Sequence, residues 1–377
     1  MTAALAPAAA PPLDDHRGSW LPNGAMIATR FMELRKRRGL MIALAVVNIG
    51  IPTIFLAVRL IAHAADPKTY GPAGGYAIYT ALVAGLMYVF GFIVAATLGC
   101  TAGSVDLSDG MFRHLVITGR SRLALYFARI PAGLAIVVPM VAAGFTIVCA
   151  VCAFAAPTTL DYQGISVPPG LSAPAFANWA SQHPEQVICG FPARNVPINL
   201  PCFIDSKGHV VFPKGPGGAA PTLPSPAQMR AAARTIAAEN FPEYSRTFLV
   251  PSNTLMIQSG LWLELEAIIG FIVGLGLASL LGQRTIAVIL MVVLEVILTP
   301  IFSRTAIPHL INGQRGIVGL AMAHLEPGGL PRIFGGGDGG LRSSLVPEST
   351  TVAVCVVVAW LVVWTALGAW RMATRDT

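Results

Sequence analysis

The sequence predicts an all-α polytopic membrane protein with six transmembrane helices and both termini in the cytoplasm. Three observations predict it. Of 377 residues, 54% are hydrophobic and only 11% charged, against roughly 25% charged in a soluble globular domain. Apolar runs approaching the ~20 residues needed to cross a bilayer recur at six places. Basic residues crowd the segment just before the first run, and such residues mark the cytoplasmic side.

The same numbers exclude other classes. A pI near 9.3 is compatible with nucleic-acid binding, but the basic residues are scattered along the chain and form no continuous stripe. Nucleic acid is therefore not an expected partner, whereas the lipid bilayer is. Residues 1–23 begin as "MTAALAPAAAPPLDDHRGSW", without the basic start and unbroken apolar core of a cleaved signal peptide. They read as a disordered cytoplasmic tail.

Residues 24–39 read as an interfacial amphipathic helix. Ile27, Phe31 and Leu34 recur at helical spacing, while Arg30, Glu33 and Arg37 fall on another face, the pattern of a helix lying in the headgroup plane. Arg30, Arg35, Lys36, Arg37 and Arg38 place the N-terminus in the cytoplasm. Residues 40–156 then hold three spans: Leu40–Val58, Tyr76–Leu98 and a third within Leu123–Ala156. The third run is too long for one perpendicular crossing, so its start lies along the interface or tilts. Residues 253–302 hold the fourth and fifth spans, Ile257–Leu281 and Ile286–Phe302. The short Gly282–Thr285 link forces them antiparallel. The sixth, Thr351–Trp370, and a cytoplasmic tail complete residues 351–377.

Two segments then face outward. Residues 157–252 form a Pro/Gly-rich extracytoplasmic insertion. In it "CFIDSKGHVVF" reads as a hairpin turning at Ser206-Lys207-Gly208, and "PAQMRAAARTIAAENF" as a helix starting at Pro226. Cys189 and Cys202 lie in this polar segment and are disulfide candidates if it faces an oxidising compartment. Residues 303–350 form a second outer loop, whose apolar "HLINGQRGIVGLAMAHL" suggests short helices lying against or dipping into the outer leaflet. Cys149 and Cys152 make a C-x-x-C, but in an apolar run with no cation nearby such thiols are inert. No metal site is expected, since no two His stand at metal-ligand spacing.

Between the second and third runs stands "SVDLSDGMFRHLVITGRSR", Ser104 to Arg122. Ser104, Asp106 and Ser108 are N-capping types. Met111, Phe112, Leu115 and Val116 form an apolar stripe, Gly119 suits a C-cap, and Arg113, Arg120 and Arg122 ring the stripe. A helix over 104–119 must bury its apolar ridge, in lipid headgroups or in a groove of a soluble partner.

This insert resembles the loop after the second span in the membrane subunits of bacterial type-2 ABC exporters. Asp106, Gly110, Leu115-Val116-Ile117-Thr118, Ser121-Arg122 and Arg129 stand where that family has an acidic residue, a Gly, a Leu-rich triplet with Thr, Ser-Arg and a Lys. Gly119 replaces the usual Pro, Asp106 the usual Glu, and Arg129 the usual Lys. "GLGLASLLGQRTIAVILMVVLEVILTPIF" is similar to the family's turn between the fourth and fifth spans. The insertion at 157–252 lies outside the resemblance.

The resemblance implies a bacterial plasma-membrane permease for efflux. Residues 104–119 would be a coupling helix, with Asp106, Gly110, Met111, Phe112, Arg113, Leu115, Ser121 and Arg122 facing a separate ABC-type ATPase subunit. ATP and magnesium would sit on that ATPase, with no cofactor on this chain. A P-loop needs G-K-[ST], and none of Lys36, Lys68, Lys207 and Lys214 follows a glycine. A second permease subunit, identical or related, would complete the pathway. The Gly270/Gly274 pair forms a G-x-x-x-G ridge for close helix contact, within or between subunits.

Intramembrane charges are the remaining candidates, either lining the translocation path or pairing within the membrane. Glu295 lies mid-span, where an unpaired carboxylate is expensive, and pairing with Arg129 or Asn48 is one expectation. Glu264 and Glu266 lie in the outer part of the fourth span, on different faces. The alternatives from other classes are an integral-membrane enzyme and a ligand-sensing membrane protein with an extracytoplasmic binding domain. No G-x-S-x-G elbow supports the first, and an anchor needs no docking ridge of the 104–119 kind.

Overall fold

The computed structural model describes residues 21–108, 121–157, 160–162, 165–192, 202–205, 209–213, 224–245, 249–304, 307–328, 330 and 346–374. It is mostly helical. Six helices are long and apolar enough to cross a membrane: Arg38–Ala65, Tyr76–Val105, Arg122–Phe154, Asn253–Leu281, Arg284–Phe302 and Thr350–Thr374. Several exceed the apolar runs that announce them, because a helix does not stop where hydropathy falls. The first continues past Val58, and the second runs on as a helix to Ser108.

The fourth span is the axis of the bundle, with 78% of its most apolar window buried. It packs chiefly on the second and sixth spans. Glycine makes the first contact possible: a Cβ on Gly270 or Gly274 would press on the backbone at Phe92 and Ala96, and one on Gly99 or Gly103 on the backbone at Phe271 and Leu275. Two small-residue ridges therefore interlock within one chain, letting the backbones approach where dispersion, not water exclusion, drives helix association.

Three spans widen into π-type turns, at Val46–Gly50 in the first, Ala81–Met87 in the second and Val293–Leu298 in the fifth. The turns at Val46–Gly50 and Val293–Leu298 lie just before a proline, Pro52 and Pro300. Proline has no amide hydrogen for the preceding turn, and a widened turn is one way to absorb the loss. These turns hold the buried polar side chains Asn48 and Glu295. The third span breaks at Ala128 into Arg122–Phe127 and Arg129–Phe154.

The helix Gly24–Lys36 forms before the first span, capped by the Asn23 side chain, which accepts from the Met26 amide at 2.9 Å. Its facing differs from the sequence reading. Arg30 is buried rather than on the outer polar face, and it pairs with Glu33 at 2.6 Å. Arg30, Glu33 and Leu34 turn inward and surround a small gap with Ala102, Val105 and Arg129.

At the opposite end of the bundle the insertion builds its own core. Phe176, fully buried, stacks on Tyr244 with centroids 4.1 Å apart, an arrangement worth ~0.5–1.5 kcal/mol beyond burial. Tyr244 comes from the helix Pro226–Tyr244, which starts at a capping box of Ser225 and Gln228 worth ~1 kcal/mol. Two antiparallel ribbons flank it, Leu160–Tyr162 with Ile165–Val167 and Phe203–Ile204 with Val210–Val211, Phe203 opposite Val211. A disulfide joins Cys189 to Cys202, Cα to Cα 5.3 Å.

The apolar part of the 303–350 loop forms two short helices, Ile311–Arg315 and Val318–His324. Val318 to Ala323 are all buried, and the segment dips between spans. Trp262 Nε1 donates to the Met322 carbonyl at 2.9 Å, Trp360 Nε1 to the Gly316 carbonyl at 2.8 Å, and Gln314 Nε2 to the Phe302 carbonyl at 3.0 Å. The fourth, sixth and fifth spans each hold it.

Candidate functional site

Among the described residues, buried polar side chains from three spans meet in a cluster. Glu295 is 3% exposed and Glu266 2%. Tyr88 Oη donates to Glu295 Oε1 at 3.4 Å, and Thr299 Oγ1 contacts Oε2 at 3.5 Å while also meeting the Leu294 carbonyl at 3.0 Å. The Tyr88 ring stacks on Trp262, centroids 4.5 Å apart and 8° from parallel. That stack fixes the hydroxyl's aim. Gly319 of the dipping helix closes the cluster, since a Cβ there would crowd Thr299 and Glu295.

Glu266 completes it from the fourth span. It lies within electrostatic reach of Glu295, and its Oε2 has no hydrogen-bond partner among the described residues. It sits midway along the helix Asn253–Leu281, which begins before the apolar run does. Glu264 points elsewhere, with both carboxyl oxygens buried and unpartnered among the described residues. A carboxyl in such surroundings either holds a proton and donates a hydrogen bond or meets a cation. The cluster is a buried polar point beside a helix that packs against three spans.

Arg129 is not the partner of Glu295. It is buried at the start of its helix and donates to the Gly103 carbonyl at 3.2 Å, while Glu295 is engaged by Tyr88 and Thr299. Asn48 does not reach Glu295 either; it donates to the Leu44 carbonyl at 3.0 Å in its own helix. Local acceptors took the donors that the sequence reading offered to Glu295.

The bundle end near Arg129 gathers the other candidates. Ser279 Oγ donates to the same Gly103 carbonyl at 3.4 Å, and Arg122 Nη1 to the Ala373 carbonyl at 3.2 Å. The ends of the second, third, fourth and sixth spans thus meet beside the helix Gly24–Lys36. Ser108 and Ser121, which flank the insert, emerge on this face.

Ser104 corrects the expected start of the insert's helix. It is buried inside the second span, and its hydroxyl donates to the Cys100 carbonyl at 2.8 Å; Asp106 lies in that helix's last turn. A serine inside an apolar helix satisfies itself on the carbonyl four residues back, so it need not cap anything. Ser121 takes the N-cap position of Arg122–Phe127 without a side-chain cap bond. Gly110, Met111, Phe112, Arg113 and Leu115 lie outside the described residues.

Sequence reasoning missed Tyr88, Trp262, Thr299 and Gly319, since none breaks the apolar pattern around it. A hydroxyl or indole at mid-span was the only available signal. Among the described residues, no group of three or more His, Cys, Asp or Glu is placed to hold a metal ion. Compared with known proteins, the chain matches no family model, no curated protein and no solved structure.

Proposed function

We propose that this chain is the transmembrane subunit of an ATP-driven ABC exporter of the bacterial plasma membrane. It forms the translocation path with a second permease subunit and couples to a separate ATPase through the insert after the second span. The observation that carries the reading is the sequence of that insert, whose spacing makes an apolar stripe with Arg113, Arg120 and Arg122 around it, between Asp106 and Ser121-Arg122. Its flanking residues emerge where four span ends converge beside the basic helix Gly24–Lys36. In this reading that face is cytoplasmic, and the disulfide-bearing insertion lies outside.

The convergence of span ends gives the coupling a mechanical route. A displacement of the insert pulls directly on the second and third spans. Gly103 hands it on, because its carbonyl accepts from both Arg129 and Ser279. The fourth span, interlocked with the second along the glycine ridges, then moves with it. By linkage, the ATPase must bind the two membrane states with different free energy.

The test is to purify the chain from the membranes of its own host through a tag on it and identify what co-purifies. A stoichiometric complex with magnesium-dependent, vanadate-sensitive ATP hydrolysis supports the proposal. Purification of the chain without an ATPase under conditions that preserve other such complexes opposes it.

A further inference from the structure

A cavity of about 570 Å³ lies between the helix Gly24–Lys36, the first turns of the first span, and the third span. That volume is within the ~300–1,000 Å³ of small-molecule sites. Its polarity is divided. Arg35 and Arg38 are its charged lining residues, and Ile42, Ile136 and Met140 are among its apolar ones. Ala135 and Pro139, short side chains one turn apart on the third span, leave the room.

The two guanidiniums are uncommitted. Arg30 is taken by Glu33 and Arg129 by the Gly103 carbonyl, but Arg35 and Arg38 have no hydrogen-bond or ion-pair partner among the described residues. Among the described residues, no acidic side chain lines the cavity. Arg38 is the first residue of the first span, which sets the charged lining at headgroup level. The apolar lining runs along that span toward the hydrocarbon. Guanidinium binds phosphate through paired, charge-assisted hydrogen bonds.

We infer that this cavity binds one anionic phospholipid, its phosphate on Arg35 and Arg38 and its acyl chain against Ile42, Ile136 and Met140. The inference rests on the membrane reading alone and stands whether or not the chain couples to an ATPase. It gives the basic helix a task beyond setting topology: a lipid there wedges that helix against the third span.

The experiment is native mass spectrometry of the full chain, stripped of lipid in detergent and titrated separately with dioleoyl phosphatidylglycerol and dioleoyl phosphatidylcholine. Glycerol 3-phosphate serves as competitor. The variants are R35Q/R38Q, which removes charge, and A135F, which fills the cavity without altering charge. All three positions are exposed, so the fold survives, as thermal unfolding checks; if A135F is unstable, A135L carries the same test.

One phosphatidylglycerol is expected to bind at least about tenfold more tightly than phosphatidylcholine, with a loss of about that size in each variant. Glycerol 3-phosphate should not displace it. Equal binding of the two lipids, or unchanged binding in either variant, overturns the inference. Displacement by glycerol 3-phosphate makes the site one for soluble phosphate and overturns it too.

Discussion

Tyr88 of the second span and Glu295 of the fifth meet in the middle of the bundle, Oη to Oε1 3.4 Å. Residues 207 positions apart in the chain thus share one polar contact. The stack of Tyr88 on Trp262, and the bond from Trp262 to Met322, extend it to the fourth span and the dipping helix. The cluster ties together the second, fourth and fifth spans and the dipping helix.

Glu266 and Glu295 should therefore respond differently to substitution. Glu266→Met removes a buried carboxyl whose Oε2 has no partner among the described residues, and an apolar side chain of similar size is nearly neutral or stabilising there. Glu295→Ala removes the carboxyl that Tyr88 and Thr299 meet and opens a cavity, at a loss of about 2–4 kcal/mol. Thermal unfolding in detergent compares them. Equal destabilisation would show that Glu266 is held as firmly as Glu295.

The glycine ridges predict intolerance to bulk. Gly274→Val sets a branched side chain against the backbone of Ala96 and Cys100, which cannot swing away as a side chain can. Overpacking typically costs about 1–3 kcal/mol, and here the upper end or beyond is expected. Gly313→Ala, where a Cβ meets nothing within 4 Å, is the control and should unfold at the wild-type temperature.

Glu348 gives a pH dependence outside the spans. Burial pushes its carboxyl above the ordinary 4.5, and His324 and Arg315 only partly pull it back. The folded state thus holds the proton more tightly than the unfolded chain. Stability from this group is complete below the ordinary value and is lost as pH rises through the raised one. Glu348→Gln should match wild type in acid and become the more stable protein as pH approaches neutrality. A difference that instead grows on acidification contradicts this sign.

The proposed coupling role of the insert predicts uncoupling without unfolding. Phe112→Asp and Leu115→Asp place charge on the apolar stripe read from the sequence and replace no residue of a span. Thermal stability should hold, while the response of the partner's ATP hydrolysis to the membrane subunit falls by about 5–150-fold, the range of allosteric coupling energies. Full coupling in both variants counts heavily against the ridge as the contact.

Much of this fold was legible because lipid imposes one demand on every span: an unbroken run of apolar residues. The six spans, the basic helix at Gly24–Lys36 and the Pro226 helix all announce themselves by period or composition. What escaped were the polar residues that satisfy themselves locally. Ser104 resembles a cap in one dimension, yet in the helix it bonds Cys100. Arg129 and Glu295 look like partners by charge alone, but each meets a nearer group. The aromatic pair Tyr88 and Trp262 sits in apolar sequence, marked only by a hydroxyl and an indole. Whether Gly270 and Gly274 serve one chain or two was open in the sequence, and Gly99 and Gly103 answer them within the chain.

The most direct measurement is crosslinking in living cells from a photoreactive benzophenone side chain placed at Phe112. The account predicts a single major adduct with an ATP-hydrolysing subunit, lost when that subunit is deleted. Adducts with lipid alone, or labelling of a cysteine at position 112 by a membrane-impermeant maleimide added outside intact cells, would contradict it.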